Sequence, residues 1–248
     1  ARAIRQFMVG PHTVSAGKGL ADLTVVESVP EAFASTLAEA FGSRSGSRFT
    51  LFLSGGPTAA ACYEATAQLP TGVIDWPLVD VFIGDERLVP PDHPDANQRL
   101  VRETLLERVG GVGSFTPMPT EGDPAACATA YSRVIASVFD NGGIDFIHLG
   151  LGADGHTASL FPGGTGLDAG PDQLVMVTED PNGNNAHPRL TVTLPVIDQA
   201  RLAVFTVSGE AKRDALAAVS SGADLPASRV HARSVRWLVD AAAMRPGG

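Results

Sequence analysis

The sequence predicts an α/β chain, one domain built on a mainly parallel sheet with helices on both faces. Three observations predict it. Short apolar runs of strand length alternate with longer amphipathic stretches, the pattern of strands buried on both sides by crossover helices. Prolines open several of the amphipathic stretches, and a glycine follows the first of them, as helix starts and stops require. Several strand-like runs end in glycine-rich turns that carry charged residues, and open α/β sheets build their sites at strand carboxyl ends.

Residues 1–20 show no clear period and read as a weakly structured extension, leaving residues 21–248 as the domain. Leu23 to Val26 reads as a strand. Pro30 to Phe41 reads as a helix, with Gly42 just past its end. Phe49 to Leu53 is a buried strand followed by Ser54-Gly55-Gly56, and Pro57 to Leu69 a helix. Val79 to Ile83 is a strand ending in Gly84-Asp85-Glu86-Arg87. Pro94 to Val109 and Pro124 to Phe139 are helical. Ile144 to Leu149 is a strand that breaks into Gly150-Leu151-Gly152 and then Ala153-Asp154-Gly155-His156. Further on, Leu174–Thr178, Leu190–Leu194, Leu202–Val207 and Val235–Val239 read as strands, and Glu210 to Ser220 as a helix. The Gly/Asp/Pro-rich stretches at 163–170 and 181–188 read as loops bordering a pocket.

Composition bounds the function. In 248 residues, 44% hydrophobic and 18% charged, there is material for a sizeable core and no signature of disorder. A formal charge of −9 argues against nucleic acid, whose phosphates recruit basic surfaces. A small anion remains open to a few local cations and N–H groups. Cys62 and Cys127 lie far apart, which supports neither a disulfide framework nor a cysteine metal site and suits a cytoplasmic setting. No apolar run approaches the ~20 residues that span a bilayer, and no secretory leader is evident.

Four junctions are read as passing from strand to helix and carry candidate chemistry: Ser54-Gly55-Gly56, Asp85-Glu86-Arg87, Asp154-Gly155-His156, and Gly209 with Lys212. Ser54-Gly55-Gly56-Pro57-Thr58 has the makings of a phosphate cradle, because glycines let N–H groups approach an anion at a helix N-terminus. It matches neither a P-loop nor a dinucleotide fingerprint, and alone such a turn is most often structural. Lys212 and Arg189 can each reach an anion, though an isolated Lys or Arg is more often a solvated surface charge. An ion pair with its acidic neighbours is the plain reading of Arg87. His156 is suited to moving protons near neutral pH, with Asp154 to orient it. The plain alternative has Asp154 capping a helix and His156 half-buried. The histidines are scattered, with no H-x-x-x-H or H-E-x-x-H spacing, and G-x-S-x-G is missing, which argues against zinc-hydrolase and serine-hydrolase readings.

At these residues the chain resembles the 6-phosphogluconolactonase family and the wider superfamily it shares with glucosamine-6-phosphate deaminases and isomerases. The matching blocks are Leu51–Thr58 (LFLSGGPT), Ile83–Pro90 (IGDERLVP), Asn97, Leu149–Pro162 (LGLGADGHTASLFP), Pro188–Asp198 (PRLTVTLPVID) and Val207–Leu216 (VSGEAKRDAL). The resemblance implies a Rossmann-like fold without a dinucleotide, and hydrolysis of a sugar-phosphate lactone with neither metal nor cofactor. It implies His156 as the proton-transfer residue supported by Asp154. Ser54, Gly55, Gly56, Arg189 and Lys212 would hold the phosphate, with Asp85 and Arg87 lining the pocket. The segment Asp180–His187 departs from the family's usual loop. Two alternatives stand beside this reading. A deaminase/isomerase usually carries Glu five residues beyond that histidine, where this chain has Phe161. A non-catalytic sugar-phosphate sensor usually adds a DNA-binding or partner domain, and this chain shows no such extension. No heptad pattern suggests association, so a monomer is the default expectation.

Overall fold

The computed structural model describes Leu20 and residues 22–244. Strand β1 (Leu23–Val26) leads into helix α1 (Val29–Gly42), then β2 (Phe49–Leu53), α2 (Pro57–Ala67) and β3 (Val79–Ile83). Next come β4 (Asp85–Arg87), α3 (Asn97–Val101), β5 (Ser114–Thr116), α4 (Pro124–Asp140) and β6 (Phe146–Gly150). The chain ends with β7 (Val175–Thr178), β8 (Arg189–Val192), α5 (Leu194–Ile197), β9 (Leu202–Val207), α6 (Arg213–Ser220) and β10 (Val235–Asp240). The helix starts follow from side-chain chemistry. Ser28 accepts from the Glu31 N–H ahead of Pro30, and Asp123 accepts from the Ala126 N–H at 2.8 Å ahead of Pro124, each filling one of the donors a helix start leaves open.

Seven strands form one sheet in the order β1-β10-β9-β6-β2-β3-β5, every pair parallel. Flanking helices make it the doubly covered α/β architecture expected from the sequence. Register aligns the core aromatics. Phe205 pairs with Trp237 and Phe52 with Phe82, and these rings stack at 3.8 and 5.0 Å. From α1, Phe33 meets Tyr63 of α2 at 6.1 Å and Phe146 of β6 at 5.6 Å, edge to face. All of these rings except that of Phe82, which is 8% exposed, are at most 2% exposed.

The strand order sets the position of the site. From β2 the chain builds outward through β3 to β5, then returns to lay β6 on the other flank of β2 and builds the opposite way through β9 and β10. The switch point lies between β2 and β6, and there the two connections leave in opposite directions and open a crevice. β2 and β6 pair over two residues, Leu51 with Phe146 and Phe52 with Ile147, against five for β2 with β3 and five for β6 with β9. Below that pairing, the Asp145 carboxylate accepts from the Thr50 N–H at 3.0 Å and from Arg201 at 2.9 Å.

Several expectations need correction. The segment Asp85-Glu86-Arg87 is not a turn into a helix. It is β4, one strand of a second, antiparallel sheet in the order β4-β8-β7. The chain swings from one sheet to the other at Gly84, whose N–H donates to Leu53 O at 2.8 Å and whose carbonyl accepts from Val192 N at 2.9 Å. The helix expected over Pro94–Val109 is α3 followed by a π-helical turn at Arg102–Leu106. The strand expected over Leu190–Leu194 ends at Val192, before Leu194 starts α5 with Pro195 in its first turn. The Glu210–Ser220 helix begins as a 3-10 turn over Glu210–Lys212. The extension assigned to residues 1–20 lies, apart from Leu20, outside the described residues. Among the described residues no helix is long and apolar enough to cross a membrane.

Candidate active site

The loop after β6 is built around glycines. Gly155 has φ +86°, a conformation an L side chain rarely adopts. The Gly155 N–H donates to Gly152 O at 3.0 Å and the Gly152 N–H to His156 O at 2.8 Å, folding the loop back on itself. This places His156 Nδ1 2.6 Å from Asp154 Oδ1, while the same oxygen accepts from the His156 backbone N–H at 3.1 Å. The two side chains are 21% and 28% exposed, so the pair is reachable yet partly shielded. No helix follows the loop, which excludes Asp154 as a helix cap. With Nδ1–H donating to the carboxylate, Nε2 keeps its lone pair and is the nitrogen free to meet another molecule.

On the other flank of the switch point, β2 runs into Ser54-Gly55-Gly56. Gly56 has φ +98° and starts α2 without a side-chain cap, so the first N–H groups of that helix face outward with the favourable end of its dipole. A Cβ on Gly55 would lie 1.8 Å from Asn97 Oδ1, so only glycine lets the turn pack here. Asn97 Nδ2 donates to Asp85 O at 2.7 Å.

β4 and β8 supply the charges. Register makes Arg87 and Arg189 direct cross-strand partners, and each has a buried Nε without a partner among the described residues. Arg189 is 6% exposed. Burial holds its guanidinium below the usual arginine range, Asp85 opposes that, and the neighbouring Arg87 adds to it. Arg189 reaches Ser159 Oγ and Asn185 Oδ1 at 3.4 Å each, and Ser159 Oγ donates to Asp85 Oδ2 at 2.7 Å. An unpaired buried donor on a cation is costly unless something fills it.

Lys212 closes the arrangement from the turn after β9. It is half-buried; burial pulls its amine below the usual lysine range and Asp154 pulls the other way. The turn is stitched by Asp240 at the end of β10, which accepts from Ser208 Oγ and from the Gly209 N–H at 3.0 Å.

A chain of contacts links Gly55, Asp85, Arg189 and His156. Gly55 touches Asn97, Asn97 bonds Asp85, Asp85 and Arg189 share Ser159, and the Arg189 guanidinium lies 5.7 Å from the Phe161 ring centroid. The Phe161 ring is in turn 5.0 Å from that of His156. The expected ion pair of Arg87 with its acidic neighbours does not form. Glu86 instead accepts from the backbone N–H groups of Arg87, Asn97 and Gln98 at 2.7–2.8 Å, and Arg87 donates to Asp95 O. Burial pushes the Glu86 carboxyl up to about 7 against those three bonds. Sequence reading gave no role to Asn97, Ser159 or Gly152. The glycine between strand and acid was the one signal available for Gly152. Among the described residues no three His, Cys, Asp or Glu side chains gather so as to hold a metal ion.

Comparison with known proteins places the chain among relatives of one family. The family model for glucosamine-6-phosphate isomerases/6-phosphogluconolactonase matches residues 22–239. The chain is 43% identical over 174 residues to a 6-phosphogluconolactonase of Synechocystis sp., covering 67% of this chain and 69% of that protein. It is 39% identical over 210 residues to one from Nostoc sp., covering 79% and 83%. The crystal structure of 6-phosphogluconolactonase from Thermotoga maritima superposes with a TM-score of 0.78 at 26% identity, covering 88% of this chain and 99% of that one.

Proposed function

The chain belongs to the family of glucosamine-6-phosphate isomerases and 6-phosphogluconolactonases, as an enzyme of its lactone-hydrolysing branch, and we propose that it opens 6-phospho-D-glucono-1,5-lactone to 6-phospho-D-gluconate with His156 moving the proton. The observation that carries this reading is the Asp154–His156 pair: Nδ1 is tied at 2.6 Å, Nε2 has no hydrogen-bond partner among the described residues, and the Phe161 ring next to the imidazole also adjoins the buried Arg189.

Nε2 takes a proton from water as the water oxygen attacks lactone C1. Asp154 keeps the ring in the Nδ1–H tautomer and faces the imidazolium that forms, as an acid partner of a histidine base does. The tetrahedral oxyanion collapses, the bond from C1 to the ring oxygen breaks, and Nε2–H returns the proton to that oxygen. The phosphate end rests on the Ser54 hydroxyl and the N–H groups of Gly55 and Gly56 at the uncapped start of α2, and on Arg189 and Lys212. Asp85 and Arg87 line the sugar between. Holding a reactive lactone by its far end aligns its carbonyl with the base, and positioning of this kind lowers a barrier without new chemistry. Phe161 occupies the position where deaminases carry an acid, so C2 proton abstraction has no group there. The buried, unpaired Cys62 and Cys127 suit a reducing cytoplasm.

The test is the initial rate on freshly made lactone, corrected for spontaneous opening and run with and without EDTA. The expected result is an EDTA-insensitive rate, lowered about 10²-fold or more by His156→Asn with an unchanged circular dichroism spectrum. Wild-type turnover in that variant would refute the assignment to His156. Ammonia release from glucosamine-6-phosphate without lactone hydrolysis would move the chain to the isomerase branch.

A further inference from the structure

Beneath the Ser54 turn lies a polar cluster that the mechanism above does not use. His148 on β6 is 1% exposed, Tyr63 on α2 is 0% and Thr206 on β9 is 4%. Tyr63 Oη is 2.8 Å from both Ser54 N and Ser54 O, and 2.9 Å from His148 Nδ1. His148 Nε2 is 2.8 Å from Thr206 Oγ1. The Phe33 ring covers the imidazole at 4.3 Å.

The protons in this cluster have one arrangement that satisfies every contact. The Ser54 N–H must donate to Tyr63 Oη. The Ser54 carbonyl can only accept, so it takes the single phenolic proton. His148 Nδ1 must then donate to Tyr63 Oη, which leaves Nε2 as an acceptor for the Thr206 hydroxyl. Burial pulls the imidazole down to about 3, so it stays neutral with one ring proton at working pH.

We propose that His148 is a positioning residue for the anion end of the site: through Tyr63 it fixes the peptide groups of Ser54, and with them the N–H donors of the Ser54-Gly55-Gly56 turn. The identity of the anion as a sugar phosphate rests on the function proposed above. The positioning role itself rests on the contact geometry. Tyr63 alone can touch Ser54, but without a donor at Nδ1 its hydroxyl is free to turn away from the carbonyl. The imidazole removes that freedom, and it stands on the strand that also carries the Asp154–His156 loop. One rigid strand therefore sets both ends of the site, as preorganised sites require.

The experiment compares His148→Leu, which removes the donor, with His148→Asn, whose amide nitrogen falls near the position of Nδ1. Losing one buried hydrogen bond should raise KM for the lactone roughly three- to tenfold, with kcat changed by less than about threefold. Calorimetry with inorganic phosphate should show the same loss of affinity, and His148→Asn should restore most of it. If His148→Leu does not fold, Tyr63→Phe is measured in its place, with the same expectation. A loss in kcat at unchanged KM, or wild-type phosphate affinity in the variant that folds, overturns the proposal. The phosphate titration stands without the lactone assay, so a wild-type chain that binds phosphate and hydrolyses no lactone refutes the proposed activity and leaves this test intact.

Discussion

A Cβ at position 152 would sit 2.1 Å from His156 Nδ1 and 2.6 Å from Asp154 Oδ1. Real Cβ atoms do not approach so closely, so Gly152→Ala must push the imidazole or the carboxylate aside. Displacing a catalytic base by about 1 Å costs on the order of 10²-fold in rate. We expect kcat to fall by about that factor in Gly152→Ala while the melting temperature stays near wild type, measured by lactone hydrolysis and differential scanning calorimetry. The pair itself was legible in the sequence, because an acid and a histidine two residues apart among glycines have few structural uses. Glu86 was not legible. Beside an arginine, an acid invites an ion-pair reading, and nothing local reveals that its partners are N–H groups eleven and twelve residues away. Ser159 was not legible either. Its bond to Asp85 spans 74 residues.

Among the elements, the apolar strands could be read because a buried parallel strand must be apolar on both faces. β4 and β5, three residues each, could not, since what makes them strands is a partner elsewhere in the chain. Asp-Glu-Arg pairs with β8 only because Gly84 turns it there. The turn after β9 offers a test at this scale. Burial would raise the Asp240 carboxyl, but hydrogen bonds from Ser208, Gly209, Ala243 and Ala242 outweigh it and leave it below the usual carboxylate range. A depressed folded value means that the stabilisation is present above the unfolded pKa and is lost as pH falls through the folded value. The expected outcome is a wild-type melting temperature that drops below about pH 4 more steeply than that of Asp240→Asn. At neutral pH that variant should melt lower and show a higher KM, because the turn bearing Lys212 loosens. Equal acid profiles for the two proteins would count against the assignment.

At the scale of the whole molecule, Phe33 ties helix to sheet. It is fully buried and touches Tyr63, Phe146 and His148. Phe33→Ala should cost about 3–5 kcal/mol, read as a lower denaturant midpoint at an unchanged m-value. The layered architecture was predictable from alternation alone, but the strand order was not, and the order is what matters for the site. The loop bearing Asp154 and His156 leaves one side of the β2–β6 boundary and the Ser54-Gly55-Gly56 turn leaves the other, across the inner strand pair with the fewest paired residues. A sugar phosphate lodged across it would act as a rivet, so occupancy should stiffen the two halves of the protein together and not merely fill a cleft.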